Sequence, residues 1–239
     1  MIVPTYNERD SIPEAAARLF AAAEGRVDLL VVDDGSPDGT AAVVEQIAQG
    51  RDDVHLIKRS GKLGLGTAYV TGFKWGIERG YWALVEMDAD LSHDPADVPR
   101  LLDALDEGDL AIGSRYVPGG GVGNWGRLRR ALSGAGNVYA RAWLGYDVRD
   151  STSGFRAYRA EVLETENLGA MRSEGYAFQI EMTRRLHLRS GRVVEIPITF
   201  VERARGNSKM SRRVVLEAIL RVTRWGVADR FGRSEKAQP

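Results

Sequence analysis

Tyr81–Asp90 reads YWALVEMDAD: an apolar run that closes on two carboxylates one residue apart. A short apolar run bounded by polar residues marks a buried strand, and Tyr81–Asp88 fits that pattern. The same shape recurs on either side. Val27–Asp33 (VDLLVVD) is a strand that also ends in acid, Val54–Lys58 is a short one, and Asp109–Ser114 (DLAIGS) is another. The stretches between them, Ser11–Glu24, Asp38–Gln49, Thr67–Arg79 and Pro95–Glu107, have helical periodicity. Strands alternating with helices give βαβ units and an α/β fold with an open, mostly parallel, Rossmann-like sheet flanked by helices. Ile2–Val3 is then the stub of a first strand, short enough to suggest a missing upstream stretch.

The second half reads differently. Pro118–Gly126 (PGGGVGNWG) is a glycine-rich loop, and Arg127–Trp143 an amphipathic helix. Thr152–Arg159 and Val193–Glu202 are extended, with helical Tyr176–Leu188 between them. Arg203–Ser211 is a polar loop, and Val214–Phe231 a last amphipathic helix. Without repeats or a low-complexity linker, residues 1–231 form a single domain. Its first half is about 1–116 and its second about 117–231, with 232–239 a disordered tail.

Composition narrows the function. The 239 residues carry 33 basic and 33 acidic side chains, so net charge is zero and no nucleic-acid partner is expected. No cysteine is present, which excludes disulfides, zinc-thiolate sites and a cysteine nucleophile. The N-terminus lacks a signal-peptide pattern, and no run reaches the ~18 apolar residues of a membrane span. A cytoplasmic protein that meets membranes only at its surface is the expectation.

Ligands of open parallel sheets bind beyond the carboxyl ends of the strands. Pro4–Glu8 (PTYNE), Asp33–Thr40 (DDGSPDGT), Lys62–Gly66 (KLGLG), Asp88–Asp90 (DAD) and Gly113–Arg115 (GSR) all fall there. Singly, each has a plainer reading: Asp38 as a helix cap, Gly35 and Gly39 as turn glycines. Asp88 and Asp90 are harder to dismiss. On an extended segment they face the same side, and paired carboxylates repel unless a cation lies between them. Oxygen ligands of this kind suit Mg²⁺ or Mn²⁺, which keep positions open for phosphate oxygens. A dinucleotide fingerprint, a P-loop and a serine-hydrolase elbow are all missing. His55, His93 and His187 lack metal-ligand spacing, and His93 is best read as marking the start of a helix.

In order along the chain come PTYNE, DDGSPDGT, KLGLGTAY, MDADLSHDP and GSRY, then SGFRAYR (Ser153–Arg159), GYAFQIEM (Gly175–Met182) and EIPITFVERARGNSK (Glu195–Lys209). The series resembles the dolichol-phosphate (polyprenol-phosphate) mannose synthases, inverting glycosyltransferases of family 2 with the GT-A fold, from Val3 to about Lys209. The nearly missing first strand and the absence of following membrane spans depart from some relatives.

The resemblance implies an enzyme that moves mannose from GDP-mannose to a polyprenyl (dolichyl) phosphate with inversion. It implies Mg²⁺ or Mn²⁺ on Asp88 and Asp90, and donor contacts from Pro4, Tyr6, Glu8, Val32, Asp34, Asp88, Ala89, Asp90, Arg203 and Lys209. Arg115, Arg129 and Ser133 would hold the acceptor phosphate, and Asp90 and Arg115 would be catalytic. A phosphate acceptor is already ionised and needs no general base. Were there one, Asp150, Glu181 and Asp94 are the candidates. The last helix carries Arg212, Arg213, Arg221, Arg224 and Arg230 beside an apolar face. It reads equally as a helix packed on the domain or one lying on anionic lipid, so the protein would sit peripherally on the cytosolic face of the membrane. A membrane-anchoring partner subunit is compatible with this. Two alternatives stay open: another family 2 transferase, moving glucose from UDP-glucose to polyprenyl phosphate or a sugar to a polysaccharide, and a non-catalytic nucleotide-sugar-binding subunit.

Overall fold

The computed structural model describes residues 1–23, 25–171, 173–201 and 212–231. Its framework is a seven-stranded sheet in the order β3-β2-β1-β4-β7-β5-β8. The strands are β1 (Ile2–Thr5), β2 (Leu29–Asp33), β3 (Val54–Lys58), β4 (Ala83–Glu86), β5 (Leu110–Ser114), β7 (Arg156–Arg159) and β8 (Val193–Pro197). Two further short strands, β6 (Gly121–Val122) and β9 (Thr199–Phe200), pair in parallel apart from it. The helices are α1 (Ile12–Ala23), α2 (Thr40–Ala48), α3 (Leu65–Ile77), α4 (Val98–Ala104), α5 (Arg127–Leu144), α6 (Ala160–Glu164), α7 (Tyr176–Leu188) and α8 (Arg212–Arg230).

The apolar runs are nearly continuous because helices cover both faces of the sheet. Along β1, Val3 joins a core with Ile12, Leu19, Val98 and Leu101, whereas Ile2 joins the opposite core with Tyr69, Phe73 and Phe178. The same alternation sends Val31 to the first core and Leu30 and Val32 to the second. At roughly 25 cal/mol per Å² of buried apolar surface, these two layers are the main stabilising term.

Several expectations change. The first strand is no two-residue stub: it pairs with β2 in register from Ile2↔Leu30 to Thr5↔Asp33. The expected loop at 118–126 contains β6, bound to Thr199 and Phe200. The extended stretch at 152–159 becomes β7, which runs antiparallel between β4 and β5. Fully buried Arg156 stands at its start. Its guanidinium donates to the carbonyls of Ser153 (2.6 Å), Ser151 (2.6 Å) and Gln179 (2.9 Å) and to Thr183 Oγ1 (3.0 Å). The last helix begins at Arg212, ahead of the expected Val214. The proposed tail at 232–239 lies outside the described residues.

Strands β1, β2 and β3 run outward in one direction, and α3 then carries the chain back to β4 on the other side of β1. The strand order reverses between β1 and β4, and ligands of such sheets lie at that switch point.

Candidate active site

A cavity of about 370 Å³ opens at this switch point. It gathers residues from the ends of β1, β2, β4 and β5. Pro4, Tyr6, Glu8, Asp34, Asp88, Ala89, Asp90, Arg115 and Arg129 all line it. Val32 does not: its side chain is fully buried in the core beside Ile2 and Leu30. Ser133 is not among the lining residues either. It stands one turn beyond Arg129 on α5, where its carbonyl accepts from Asn137 Nδ2 at 3.2 Å. Arg203 and Lys209 lie outside the described residues.

At the end of β2, Asp34 is engaged on both oxygens. Arg59 pairs with one, and the backbone N–H groups of Leu63 (3.1 Å) and Gly64 (3.2 Å) donate to the other. The carboxylate thus shapes the loop before α3. The glycines of KLGLG serve close packing: a Cβ on Gly66 would lie 2.6 Å from the Ser173 carbonyl oxygen. Lys62 extends over the Tyr6 ring, its Nζ 4.5 Å from the centroid. Asp38 accepts from the Thr40 backbone (3.0 Å) and its hydroxyl (2.6 Å), and takes the Arg9 N–H at 3.2 Å, so it joins the first two loops, whereas the cap of α2 is Gly39 rather than the expected Asp38.

The acidic pair lies just past β4, which ends at Glu86, on the turn that follows rather than on the strand. Tyr69 Oη lies 3.5 Å from Asp88 Oδ1, and the Ser92 N–H donates to Asp90 Oδ1 at 2.9 Å. Among the described residues no group of three His, Cys, Asp or Glu side chains is arranged to hold a metal. Two carboxylates at a cavity wall nevertheless fit Mg²⁺ or Mn²⁺. Such ions commonly take one or two protein carboxylates and fill the remaining positions with water and phosphate oxygens.

The cavity lining is also cationic and aromatic, with Arg115, Arg129, Trp125 and Phe200. Arg115 is buried and makes a two-pronged pair with Asp150, Nε to Oδ2 and Nη2 to Oδ1, both 2.7 Å. Its Nη2 also reaches Thr152 Oγ1 at 2.9 Å, and its backbone N–H donates to Asp150 at 2.9 Å. Burial alone would raise the Asp150 carboxyl, but the Arg115 charge and these hydrogen bonds hold it below its ordinary value. A carboxylate so engaged is a poor proton acceptor. The other two candidate bases are also occupied away from the cavity. Asp94 caps a short 3₁₀ turn through the Ala96 N–H (3.0 Å), and Glu181 binds the Ser173 hydroxyl and Arg185 (2.7 Å). Arg129, in the first turn of α5, stacks its guanidinium 4.2 Å from the Trp125 centroid.

The sequence reading missed several lining residues. His93 does not start a helix, a task Asp94 performs. It is buried in the cavity wall between Phe155 and Phe200, each ring centroid 5.1 Å away. Burial brings its imidazole down to about 4, so it is neutral at physiological pH. Gln179 lines the floor, and its Nε2 donates to Glu86 Oε2 at 2.8 Å. Burial pushes the Glu86 carboxyl up to about 8, against the pull of Arg156 and Gln179. The one signal for Gln179 was its place in GYAFQIEM, a motif from which no residue was assigned.

A family model, glycosyl transferase family 2, matches residues 1–166. The chain belongs to glycosyltransferase family 2. It is 52% identical over 236 residues to polyprenol monophosphomannose synthase of Mycolicibacterium smegmatis, covering 98% of this chain and 89% of that protein. It is also 52% identical to undecaprenyl-phosphate mannosyltransferase of Micrococcus luteus, covering 96% and 94%. Dolichol-phosphate mannosyltransferase of Pyrococcus furiosus is 38% identical, with 97% of this chain and 65% of that one covered. Among solved structures, glucosyl-3-phosphoglycerate synthase of Mycobacterium tuberculosis in complex with Mg²⁺ and uridine diphosphate superposes with a TM-score of 0.65 at 23% identity, over 97% of this chain and 78% of that one. The architecture is thus the GT-A fold, and this family 2 member is a glycosyltransferase.

Proposed function

We propose that this glycosyltransferase moves mannose from GDP-mannose to a polyprenyl phosphate, with inversion, and releases GDP. The observation that carries the reading is its 52% identity, along nearly its whole length, to two proteins named for mannosyl transfer to such lipids. An acidic pair and two arginines in the lining of one cavity supply what two anionic substrates need. In the reaction, a phosphate oxygen of the lipid attacks the anomeric carbon as the bond from that carbon to the GDP β-phosphate oxygen breaks. A divalent cation held by Asp88 and Asp90 would offset the charge that develops on the departing diphosphate. Tyr6, Glu8 and Asp34 would hold the nucleoside, with Pro4 and Ala89 contributing backbone, while Val32 would support them from the core beneath.

Asp150 and Thr152 occupy the Nε and Nη2 donors of Arg115. The rest of that guanidinium, with Arg129, would meet the acceptor phosphate. Because its charge is already matched by Asp150, Arg115 would orient the phosphate more than neutralise it, leaving Arg129 the larger electrostatic share. Ser133, Arg203 and Lys209 keep their proposed acceptor and donor roles.

A lipid acceptor also suits exposed leucines on two helices. Leu128 (73% exposed) and Leu132 (62%) lie on α5, and Leu216 (58%) and Leu220 (61%) on α8, helices joined by Tyr139 Oη and Thr223 Oγ1 at 2.6 Å. Among the described residues no helix is long and apolar enough to cross a membrane. We place the protein peripherally on the cytosolic membrane face, through these exposed leucines or through a membrane-anchoring partner subunit. Transfer of labelled mannose into an organic-extractable lipid, with GDP-mannose compared against UDP-glucose, tests donor and acceptor together. Label from GDP-mannose in lipid phosphate supports the proposal, and label from UDP-glucose alone overturns it.

A further inference from the structure

Lys62 lies in the cavity lining and has no part in the reaction proposed above. The loop that carries it is fixed. Asp34 accepts the N–H groups of Leu63 (3.1 Å) and Gly64 (3.2 Å), and Arg59, paired with Asp34, donates from Nη2 to the Gly64 carbonyl at 3.0 Å. A Cβ on Gly35 would lie 3.1 Å from Gly61 Cα, so the loops after β2 and β3 also touch. The Lys62 side chain itself is exposed, and its ammonium rests over the Tyr6 ring, 4.5 Å from the centroid. Glu8, Asp34, Asp88 and Asp90 line the same cavity, yet among the described residues none of these carboxylates pairs with it. Three donors on a flexible stem, anchored at the backbone and without a counter-ion, are open to what binds in the cavity.

The sheet says which part of a ligand they meet. The strand order β3-β2-β1-β4 sets Lys62, Asp34, Tyr6 and the pair Asp88 and Asp90 beyond successive strand ends. Neighbouring strands lie roughly 4.8 Å apart, so the ends of β3 and β4 stand about 14 Å apart, comparable to the length of a nucleoside diphosphate. With the diphosphate at the acidic pair, the base points toward β3, against Tyr6 and within reach of Lys62. We infer that Lys62 reads the base of the donor nucleotide: its ammonium leaves the Tyr6 ring as the base stacks there, and donates to acceptors on the base edge. Guanine offers O6 and N7, the two acceptors that lysine takes in nucleic acids, whereas adenine carries an amino donor in place of O6. The ligand class is a nucleotide with an oxo base. The inference rests on the donor role proposed for Asp88 and Asp90.

Binding of GDP, inosine diphosphate (IDP) and ADP, each with Mg²⁺, is measured by calorimetry on wild type, Lys62→Met and Lys62→Arg. Because Lys62 is exposed, neither change disturbs a core. IDP keeps O6 and N7 and lacks the 2-amino group of guanine, so it isolates the edge in question. Wild type should prefer IDP to ADP by about 10-fold or more, the scale of one specific base contact. Lys62→Met should reduce that preference by about 10-fold, weakening GDP and IDP more than ADP, and Lys62→Arg, which donates to the same two acceptors, should keep it. A wild type without the preference, or a Lys62→Met variant that retains it, overturns the inference. Equal weakening of all three nucleotides places Lys62 on the phosphates or ribose and overturns it too, as does equal loss of the preference in both variants, which marks a packing role. If wild type binds UDP more tightly than GDP, the proposed GDP-linked donor fails separately. UDP against CDP, O4 against an amino group, then decides the role of Lys62 in the same variants.

Discussion

Two buried carboxyls flank the cavity and are held in opposite charge states. Glu86, at the end of β4, has a neutral amide as its hydrogen-bond partner, and burial drives it up to about 8. Asp150, beside Arg115, is as buried but faces that guanidinium along two hydrogen bonds and stays below its ordinary value. Burial therefore sets the cost of charge, and the partner decides whether the charge is kept. Near Asp88 and Asp90 a neutral Glu86 adds no third negative charge. At Arg115 an anion is retained because it fixes the arginine.

Removing the anion should have the largest effect. Asp150→Asn leaves Arg115 buried without its counter-charge, and breaking such a pair costs about 3–5 kcal/mol. Chemical denaturation should show that loss, and a change below ~1 kcal/mol would mean the pair is solvated and weak. Next comes the acidic pair itself. Asp90→Asn should lower single-turnover transfer by at least ~100-fold, the scale of losing one main electrostatic stabiliser. Chelation should abolish wild-type transfer, and added Mg²⁺ or Mn²⁺ should restore it. Full activity in excess chelator would remove the metal from the account.

Arg129→Ala sharpens the contrast between the acidic pair and the arginines. It should raise KM for polyprenyl phosphate by about 10- to 100-fold, a charge-assisted contact of about 1.5–3 kcal/mol, while GDP-mannose binding is nearly unchanged. Equal weakening of both substrates would place Arg129 on the donor side. The smallest effect concerns Glu86. Its folded-state pKa is raised, so the native state holds a proton that the unfolded chain releases, and this contribution is lost as pH rises from about 4.5 to about 8. Glu86→Gln lacks that dependence. Between pH 6 and 7 its stability should improve relative to wild type by about 1 kcal/mol. Parallel stability curves would show that Glu86 is ionised in the fold.

The sheet was legible because its strands are short apolar runs, VDLLVVD and YWALVEMD among them, whose alternate residues fill two cores. β7 was harder. RAYR is only four residues with an arginine at each end, and nothing local reveals that distant carbonyls satisfy a buried Arg156. The motif residues at the strand ends line one cavity, because position at a strand end is a property of the local chain. Their partners were not readable: Arg59 for Asp34, Asp150 for Arg115, and Phe155 and Phe200 for His93 all come from other elements. The same holds for Gln179, whose amide partner Glu86 is far away along the chain.

In the proposed mechanism the charged groups of this cavity clamp two anions and none of them acts as a base. Single-turnover transfer with both substrates bound, followed against pH, tests it most directly. A phosphate monoester ionises near ~6, and neighbouring positive charge lowers that value, so the rate should be nearly flat from about pH 6.5 to 8. Asp150→Asn, Glu181→Gln and Asp94→Asn, assayed below their unfolding transitions, should keep that flat profile. A rate that falls as a group with a pKa near 7 protonates, and that drops by about 1,000-fold in one of these variants with both substrates still bound, would reveal a general base and contradict the phosphate-acceptor mechanism.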